Sequence, residues 1–314
     1  MLVVRLSAIG DVVFASPLVE AMEHARPDTE VYRLAESAVA RLLKHHTGLE
    51  ELLIWPRAEW RELFRQDRLW RLSREVLSFR RELRAHHFDL VLDVQGLLNS
   101  AELAWVTCAR TRIGFRSKEP TGWFPSERVP KNLDPIISSE YRALTQYICM
   151  EADETAMTIP LSEASRGFAG RVNGGRPQGV LCPFTTRPQK HWPETHWRSL
   201  AETALEQGWR VAVLVAPADR HAAQRIFTGQ AVEDKVGACA LDESAALVSQ
   251  ASLVIGVDTD LTYMGWAFSV PVVALFGSTC PYRVVPGRQG HIFYADFRCS
   301  LCRRRPTCGG AFDC

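Results

Sequence analysis

Acidic, hydroxyl and basic side chains follow apolar runs at several places in this chain, where they could bind and react with a phosphorylated ligand. The first is Asp11, which ends a turn at residues 7–11 after the apolar run at residues 1–6. A carboxylate there could accept a proton, or it could simply cap the following helix. Ligands of open α/β sheets bind where strands end and helices begin, so this turn is a candidate site.

Two further polar segments follow apolar runs in the second half of the chain. Thr185, Thr186 and Lys190 lie after a predicted strand at residues 179–183, and hydroxyls with a lysine suit a phosphate or pyrophosphate. Asp258 and Thr259 follow the predicted strand at residues 253–257, where they could hold a ribose or a sugar. The alternative interpretations are a plain polar loop for the first segment and a helix N-cap for the second.

The hydrophobic pattern predicts the elements that must position these residues. The predicted strands are at residues 1–6, 31–34, 52–55, 88–94, 179–183, 210–216, 253–257 and 272–276. The predicted helices are at residues 12–24, 37–44, 69–83, 98–108, 140–150, 196–208, 220–227, 242–251 and 262–267. Strands that alternate with helices predict an α/β fold with doubly wound parallel sheets. The glycine-rich segment at residues 153–178 predicts a boundary between two such halves, with a cleft between them.

Length and charge limit the class of protein. The chain has 314 residues, with 37 Lys+Arg, 36 Asp+Glu and a formal net charge of +1. This balance excludes a polyanion binder driven by net charge, so no nucleic-acid partner is expected. No apolar run has the length of a membrane span. Asp11 interrupts what would be the apolar region of a signal peptide, so we expect a cytoplasmic protein, with peripheral membrane contact left open.

A basic segment follows the third predicted strand. Arg57, Arg61 and Arg65 have helical spacing, and further arginines follow them up to Arg84. Such a run could bind an anionic ligand. Glutamates interleave with the arginines, however, and the alternative is a solvated helix face.

Four of the nine cysteines crowd the end of the chain: Cys299, Cys302, Cys308 and Cys314. A leading C-x2-C pair in such a cluster can form a tetrahedral zinc or iron site, and any metal here would be structural. Free or disulfide-paired thiols are the alternative. A metal–thiolate regulatory protein is a function that would depend on this cluster alone.

Four segments occur in a characteristic order, and their residues carry a family resemblance: Ser7-Ala8-Ile9-Gly10-Asp11-Val12, Asp93-Val94-Gln95-Gly96-Leu97, Thr185-Thr186 with Lys190-His191-Trp192-Pro193 and Trp197, and Val257-Asp258-Thr259. The run VVALFGSTCP at residues 272–281 fits as well. Together they resemble the ADP-heptose:lipopolysaccharide heptosyltransferases, glycosyltransferase family 9, over residues 2–281. The resemblance implies the GT-B architecture, in which two Rossmann-like domains face a central cleft. It implies an acceptor-binding domain over residues 1–165 and a nucleotide-sugar-binding domain with a Cys-rich tail over residues 166–314.

The resemblance also implies roles for individual residues. Asp11 would be the general base that deprotonates the acceptor hydroxyl, and Lys190 would neutralise the leaving nucleotide diphosphate. The donor-binding residues would be Thr185, Thr186, Lys190, Asp219, Asp258, Thr259, Asp260 and Tyr263. The acceptor-binding residues would be Ser7, Arg57, Arg61, Arg65, Lys118 and Arg142. Transfer of heptose from ADP-heptose would invert the anomeric centre, with no metal and no other cofactor.

The partners implied are ADP-heptose, an anionic lipid A–Kdo or core oligosaccharide acceptor, and the inner face of the cytoplasmic membrane. At two positions the chain departs from the family pattern, which has Gly and His where Asp260 and Tyr263 stand. A carboxylate at position 260 would repel a pyrophosphate unless it turns away. The alternatives are therefore a transferase of the same fold that uses another nucleotide sugar, or a catalytically silent homologue that binds nucleotide or glycan.

Overall fold

The computed structural model describes residues 1–148, 156–172, 177–234, 239–279 and 282–294. The chain forms two compact units, called here the N-domain (Met1–Asp134 with Ser138–Ala156) and the C-domain (Pro135–Ile137 with Met157–Cys314). The division falls at Ala156, earlier than the expected residue 165. Residues beyond 156 belong to the C-domain because Met157 and Ile159 are buried and Ser165 donates a 2.9 Å hydrogen bond to Asp242.

The N-domain alternates strands with helices along its length. Its strands are β1 (Leu2–Val4), β2 (Tyr32–Glu36), β3 (Glu51–Trp55), β4 (Leu90–Asp93), β5 (Thr111–Phe115) and β6 (Glu127–Val129). Its helices are α1 (Ile9–Phe14), α2 (Ser16–Ala25), α3 (Ser37–Leu43), α4 (Arg57–Arg65), α5 (Leu69–Ala85), α6 (Leu98–Val106) and α7 (Ser139–Tyr147).

All six strands of the N-domain are parallel, in the order β3-β2-β1-β4-β5-β6. Apolar strand residues such as Leu2, Val4 and Val91 are fully buried, and α5 packs on them through Phe79 and Leu83. Burial on both faces explains why these strands are continuous apolar runs in the sequence. The order reverses between β1 and β4, and ligands of such sheets bind at the carboxyl ends of the strands that flank this point.

The C-domain repeats the arrangement. Its strands are β7 (Gln178–Cys182), β8 (Arg210–Val213), β9 (Glu233–Asp234), β10 (Leu253–Val257), β11 (Val272–Phe276) and β12 (Gly290–Tyr294). Its helices are α8 (Glu163–Val172), α9 (Glu194–Glu206), α10 (Arg220–Phe227), α11 (Leu241–Ser249) and α12 (Asp260–Ala267), with 3-10 turns at Pro188–Lys190 and Pro217–Asp219. The strands are parallel in the order β12-β11-β10-β7-β8-β9. The order therefore reverses between β7 and β10.

The structure confirms the predicted fold class of doubly wound parallel α/β domains and adds elements that the pattern did not predict. Strands β5, β6, β9 and β12 and helix α8 were not predicted, whereas α4 agrees with the helical spacing of Arg57, Arg61 and Arg65. The helix predicted at residues 12–24 is two helices, because Pro17 lies in the first turn of α2 and lacks the N–H that a continuous helix would need. Within the part of the chain that is described, no helix is both long and apolar enough to cross a bilayer.

Candidate active site

Asp11 lies at the point where the strand order of the N-domain reverses. It is in the first turn of α1, just after β1, and its carboxylate forms an ion pair with the guanidinium of Arg5. The Asp11 side chain is 45% exposed, whereas Arg5 is 5% exposed. The N-cap of α1 is Ala8, so the alternative in which Asp11 caps its helix is wrong. The carboxylate of Asp11 is therefore paired with a buried cation and remains accessible to solvent.

Arg5 is fixed in turn by the backbone of the neighbouring strand. Its Nη1 donates a 2.9 Å hydrogen bond to the carbonyl of Val94, at the end of β4. Burial opposes the charge of Arg5, but Tyr141, Asp11 and Glu140 together raise its pKa above the ordinary value. The guanidinium therefore stays protonated at neutral pH, and it is the cationic partner of the Asp11 carboxylate.

The turn after β4 positions the turn that carries Asp11. The side-chain carbonyl of Gln95 accepts hydrogen bonds from the backbone N–H groups of Leu6 at 2.8 Å and Ser7 at 3.3 Å. Asp93 accepts 3.1 Å bonds from the N–H groups of Gln95 and Gly96, and Gly96 has a φ of +69°, which favours glycine. The Asp93–Leu97 segment of the family pattern therefore connects the turn after β4 to the turn after β1 through hydrogen bonds.

A buried phenol and a second buried arginine complete the support behind Asp11. The Tyr141 hydroxyl lies 3.5 Å from the Asp11 carbonyl, and the pKa of this phenol is raised, mainly by burial. Arg33 is fully buried and donates a 3.0 Å bond to the Val12 carbonyl, while burial lowers its pKa to about 10. Both arginines remain cations at neutral pH, so this region of the N-domain favours anions.

The residues expected to bind the acceptor lie in several loops and helices of the N-domain. Arg57 follows β3 and pairs with Glu36 at the end of β2, with 2.7 Å between the nitrogen and the oxygen, while its guanidinium lies over the Trp55 ring. This arginine is therefore already neutralised. The remaining candidates are exposed or half-buried in positions after β1, in α4, after β5 and in α7: Ser7, Arg61, Arg65, Lys118 and Arg142.

Lys190 and Asp258 meet at the switch point of the C-domain. Lys190 ends the 3-10 turn after β7, and its ammonium forms an ion pair with the carboxylate of Asp258, which directly follows β10. Both side chains are largely buried. The Asp258 carboxylate also accepts hydrogen bonds from the hydroxyls of Tyr263 and Thr279. Three donors, from the turn after β7, from α12 and from the segment after β11, therefore converge on one carboxylate, which fixes the position of the lysine.

Tyr263, which stands where the family pattern has His, has a definite role here. Burial raises the pKa of the phenol well above its usual value, and the Asp258 charge raises it further. The phenol stays protonated and donates to Asp258. The N-cap of α12 is Thr259, whose side chain makes no capping hydrogen bond, and Asp260 begins the helix. A carboxylate in the first turn is favourably placed in the field of the helix dipole.

The loop that carries Thr185 and Thr186 is held by a histidine. The Nε2 of His191 lies 2.8 Å from the carbonyl of Thr185 and 3.3 Å from its N–H, and its ring packs edge-on against Phe184. Thr185 is half-buried, while Thr186 is exposed. Asp219 ends the 3-10 turn after β8 and is the N-cap of α10. All of the expected donor-binding residues therefore lie at the carboxyl edge of the second sheet.

A cavity of about 290 Å³ adjoins Lys190 in the C-domain. It lies at the carboxyl ends of β10, β11 and β12 and is lined by aromatic side chains that include Trp192, Phe276, Phe293 and Tyr294. A lysine at the mouth of an apolar recess can bind the charged part of a ligand while its flat or apolar part is enclosed.

Sequence reasoning did not find several residues that position the site. Arg5 was overlooked because it belongs to an apolar run, although a charge inside a buried strand is itself a signal of a specific partner. Thr279 lies far along the chain from Asp258, so only the fold brings them together. The four cysteines of the predicted metal site, Cys299, Cys302, Cys308 and Cys314, lie outside the described residues. Within the described residues, no group of His, Cys, Asp and Glu could hold a metal.

Two parallel, doubly wound domains, each with charged residues at its switch point, define the chain as a protein of the GT-B glycosyltransferase class. The family model of glycosyltransferase family 9 (heptosyltransferase) matches residues 76–310. The chain belongs to this family and is a glycosyltransferase.

Relatives extend the match over almost the whole chain. Lipopolysaccharide heptosyltransferase 1 of Pseudomonas aeruginosa is 28% identical over 98% of this chain and 87% of its own length. The protein of the same name from Escherichia coli K12 is 26% identical over 90% of this chain and 88% of its own. Among solved structures, E. coli heptosyltransferase WaaC with ADP-2-deoxy-2-fluoro heptose has a TM-score of 0.75 at 25% identity, covering 93% of this chain and 92% of that one.

Proposed function

We propose that this protein transfers heptose from ADP-heptose to the lipid A–Kdo inner core of lipopolysaccharide. The observation that carries the proposal is the placement of the family's charged residues, with Asp11 at one switch point and Lys190 at the other. The names of the relatives and the ligand named for the WaaC structure support this donor and this acceptor class.

In the proposed reaction the N-domain supplies the base. The acceptor hydroxyl oxygen attacks the anomeric carbon as the bond from that carbon to the diphosphate oxygen breaks. The hydroxyl proton passes to the carboxylate of Asp11, and ADP leaves. Attack opposite the leaving group inverts the anomeric centre without a covalent intermediate. The ion pair with Arg5 orients the carboxylate of Asp11.

The C-domain binds the donor in this proposal. Lys190 faces the diphosphate and neutralises the charge that grows on the leaving ADP. The ion pair with Asp258 fixes the position of the Lys190 side chain before the donor binds, so little side-chain entropy is lost on binding. Thr185, Thr186 and Thr259 add hydroxyl donors to the phosphates, and Asp219 binds the ribose. The lysine can provide the charge that a divalent ion provides elsewhere, so we propose transfer that needs no metal.

The acceptor carries phosphates and carboxylates, and basic residues of the N-domain would bind them. Arg61, Arg65, Lys118 and Arg142 are the proposed contacts, together with Ser7. Arg57 would instead shape the site through its pair with Glu36. Because the acceptor is anchored in lipid, we propose that the protein works at the inner face of the cytoplasmic membrane.

A structural zinc or iron site at the C-terminal cysteines is a separate hypothesis. Metal analysis of the purified protein tests it. About one equivalent of zinc or iron, lost together with thiolate ligation when the four cysteines are replaced by serine, would support the site. Less than that would leave the cysteines as thiols.

Release of ADP tests the proposed function. The purified protein is mixed with ADP-heptose and heptose-free Kdo–lipid A, with ADP-glucose and UDP-glucose as alternative donors. We expect ADP release from ADP-heptose that depends on the acceptor and continues in EDTA. Turnover with another donor alone would show a different sugar specificity. Nucleotide binding with no turnover of any donor would indicate a silent homologue, the alternative that Asp260 at the start of α12 favours.

A further inference from the structure

Several large apolar side chains on the helical hairpin of α4 and α5 are exposed to solvent. Trp70 is 83% exposed and Leu77 is 50% exposed, both on α5, and Phe64 on α4 is 64% exposed. Only the second half of α5 is held by the core, through the buried side chains of Phe79 and Leu83. The first half, from Leu69 to Ser78, has no buried residue. Exposed apolar side chains that lie together mark an interaction surface, whereas single ones need no explanation.

The exposed side chains of α5 form a single face. Trp70, Arg74, Leu77 and Arg81 follow one another at intervals of four, three and four residues, so they lie in one line along the helix. All four are exposed. We call this line the outer stripe. It lies on a different side of the helix from Phe79 and Leu83, which pack on the core.

The carboxylates of the hairpin are kept away from the outer stripe. Glu75 and Glu82 are seven residues apart and lie on another flank of α5. Glu59, Glu62 and Glu75 line a cavity of about 610 Å³ between α4 and α5. These three carboxylates therefore lie at the groove, and the outer stripe combines cations with apolar groups.

We propose that the outer stripe docks on an anionic lipid bilayer. Tryptophan and leucine side chains insert at the boundary between headgroups and acyl chains, and arginines bind lipid phosphates. The outer stripe runs along the exposed side of a single helix, which suits a flat surface better than a peptide. A second copy of the stripe would bring two further cations to the contact, whereas an anionic bilayer neutralises Arg74 and Arg81. The argument depends on this surface alone and not on the proposed transfer reaction.

Flotation with lipid vesicles tests the docking surface. The wild-type protein is mixed with vesicles of phosphatidylglycerol and phosphatidylethanolamine or with vesicles of phosphatidylcholine alone, and the bound fraction is measured against lipid concentration. We expect binding to the anionic vesicles that weakens as salt rises. The double variant Arg74→Gln/Arg81→Gln should bind them about thirtyfold more weakly. The double variant Trp70→Ser/Leu77→Ser should lose about tenfold or more.

Matched variants separate the stripe from general surface effects. Arg71→Gln removes an exposed arginine of the same helix that lines the acidic groove, and Trp123→Ser removes a tryptophan that is 92% exposed outside the hairpin. Both should bind vesicles as the wild type does. Circular dichroism and thermal melting confirm that the variants fold, and activity on a deacylated, soluble acceptor should be unchanged in the stripe variants.

Two results would overturn the proposal. The stripe variants could bind anionic vesicles as tightly as the wild type, or the wild type could bind neither kind of vesicle. Light scattering that shows a wild-type dimer abolished by the stripe variants, without vesicle binding, would assign the stripe to a second copy instead. Because vesicle binding needs no donor sugar, failure of this proposal is distinguishable from failure of the proposed transfer activity.

Discussion

At the scale of single residues, the switch point of each domain has a buried charge that pairs with a more exposed one. Arg5 holds Asp11 in the N-domain, and Asp258 holds Lys190 in the C-domain. In each pair the supporting residue is less exposed than the one it supports. The supporting charge fixes the direction of the side chain that it pairs with.

The first prediction concerns Lys190. Lys190→Met should weaken ADP binding about ten- to a hundredfold, because a charge-assisted contact to the diphosphate is lost. It should also lower the free energy of unfolding, since it leaves the buried carboxylate of Asp258 without its cation. Isothermal titration with ADP and denaturant unfolding measure the two effects.

A double variant separates binding from stability at this site. Lys190→Met/Asp258→Asn removes both charges and should recover stability but not ADP affinity. Lys131→Met is the matched control, because this lysine pairs with Glu140 in the N-domain at 3.1 Å. Wild-type ADP affinity in Lys190→Met would exclude the lysine from the donor site.

The second prediction is a pH dependence of stability that originates at His46. Burial, reinforced by the charge of Arg33, lowers the pKa of His46 to about 4, whereas the unfolded value is near 6.5. Between these values the unfolded chain binds a proton that the folded chain does not. The free energy of unfolding should therefore fall as the pH drops from about 6.5 toward 4, and it should be insensitive to this group above 6.5.

His46→Gln tests this assignment, because glutamine can also accept the 3.2 Å hydrogen bond that Gly48 donates to the imidazole. Urea unfolding at pH 7, 6 and 5 should show a smaller loss of stability in this variant than in the wild type. His24→Gln, at an exposed position, should behave as the wild type. An unchanged pH profile in His46→Gln would contradict the assignment.

At the scale of elements, the candidate site residues lie in or beside the turns that follow four strands. The turns after β1 and β4 support Asp11 and Arg5, and the turns after β7 and β10 support Lys190 and Asp258. Close packing of β10 against its neighbours is therefore needed for the donor site. Gly256 in β10 shows this, since a Cβ there would lie 2.8 Å from the Cβ of Cys182 and 2.1 Å from the hydroxyl of Thr262.

The third prediction follows from this contact. Gly256→Ala should lower the free energy of unfolding by about 1–3 kcal/mol, because the backbone of β7 and the Thr262 side chain must shift. ADP affinity should fall as well, since Asp258 is only two residues away. Gly170→Ala in α8 is the control: its Cβ would meet nothing within 4 Å, and alanine favours the helix. Equal stabilities of the two variants would show that β10 adapts freely.

Elements were predictable from the sequence where burial imposes a pattern. Strands β10 and β11 and helix α10 have the predicted bounds, because each apolar run or periodic segment ends at a polar residue or a glycine. Strands β6 and β9 were missed because they are two or three residues long and contain charged side chains. Positions of polar groups within the site, such as Thr279 beside Asp258, depend on loop conformations that no local pattern encodes.

At the scale of the whole molecule, the two domains are built alike but carry different chemistry. Each has the strand order in which one reversal creates a ligand site. The N-domain presents an exposed carboxylate above buried cations, which suits a proton acceptor beside an anionic acceptor. The C-domain presents a lysine beside an aromatic cavity, which suits a nucleotide diphosphate. Transfer would require residues from both, whereas ADP binding would require the C-domain alone.

The central claim is that Asp11 is the base in heptosyl transfer. The most direct test compares acceptor-dependent ADP release by the wild type and by Asp11→Asn, with ADP affinity measured in both. We predict that Asp11→Asn binds ADP as the wild type does and transfers at least about a hundredfold more slowly, the scale of a lost general base. Transfer at the wild-type rate in Asp11→Asn would contradict this claim.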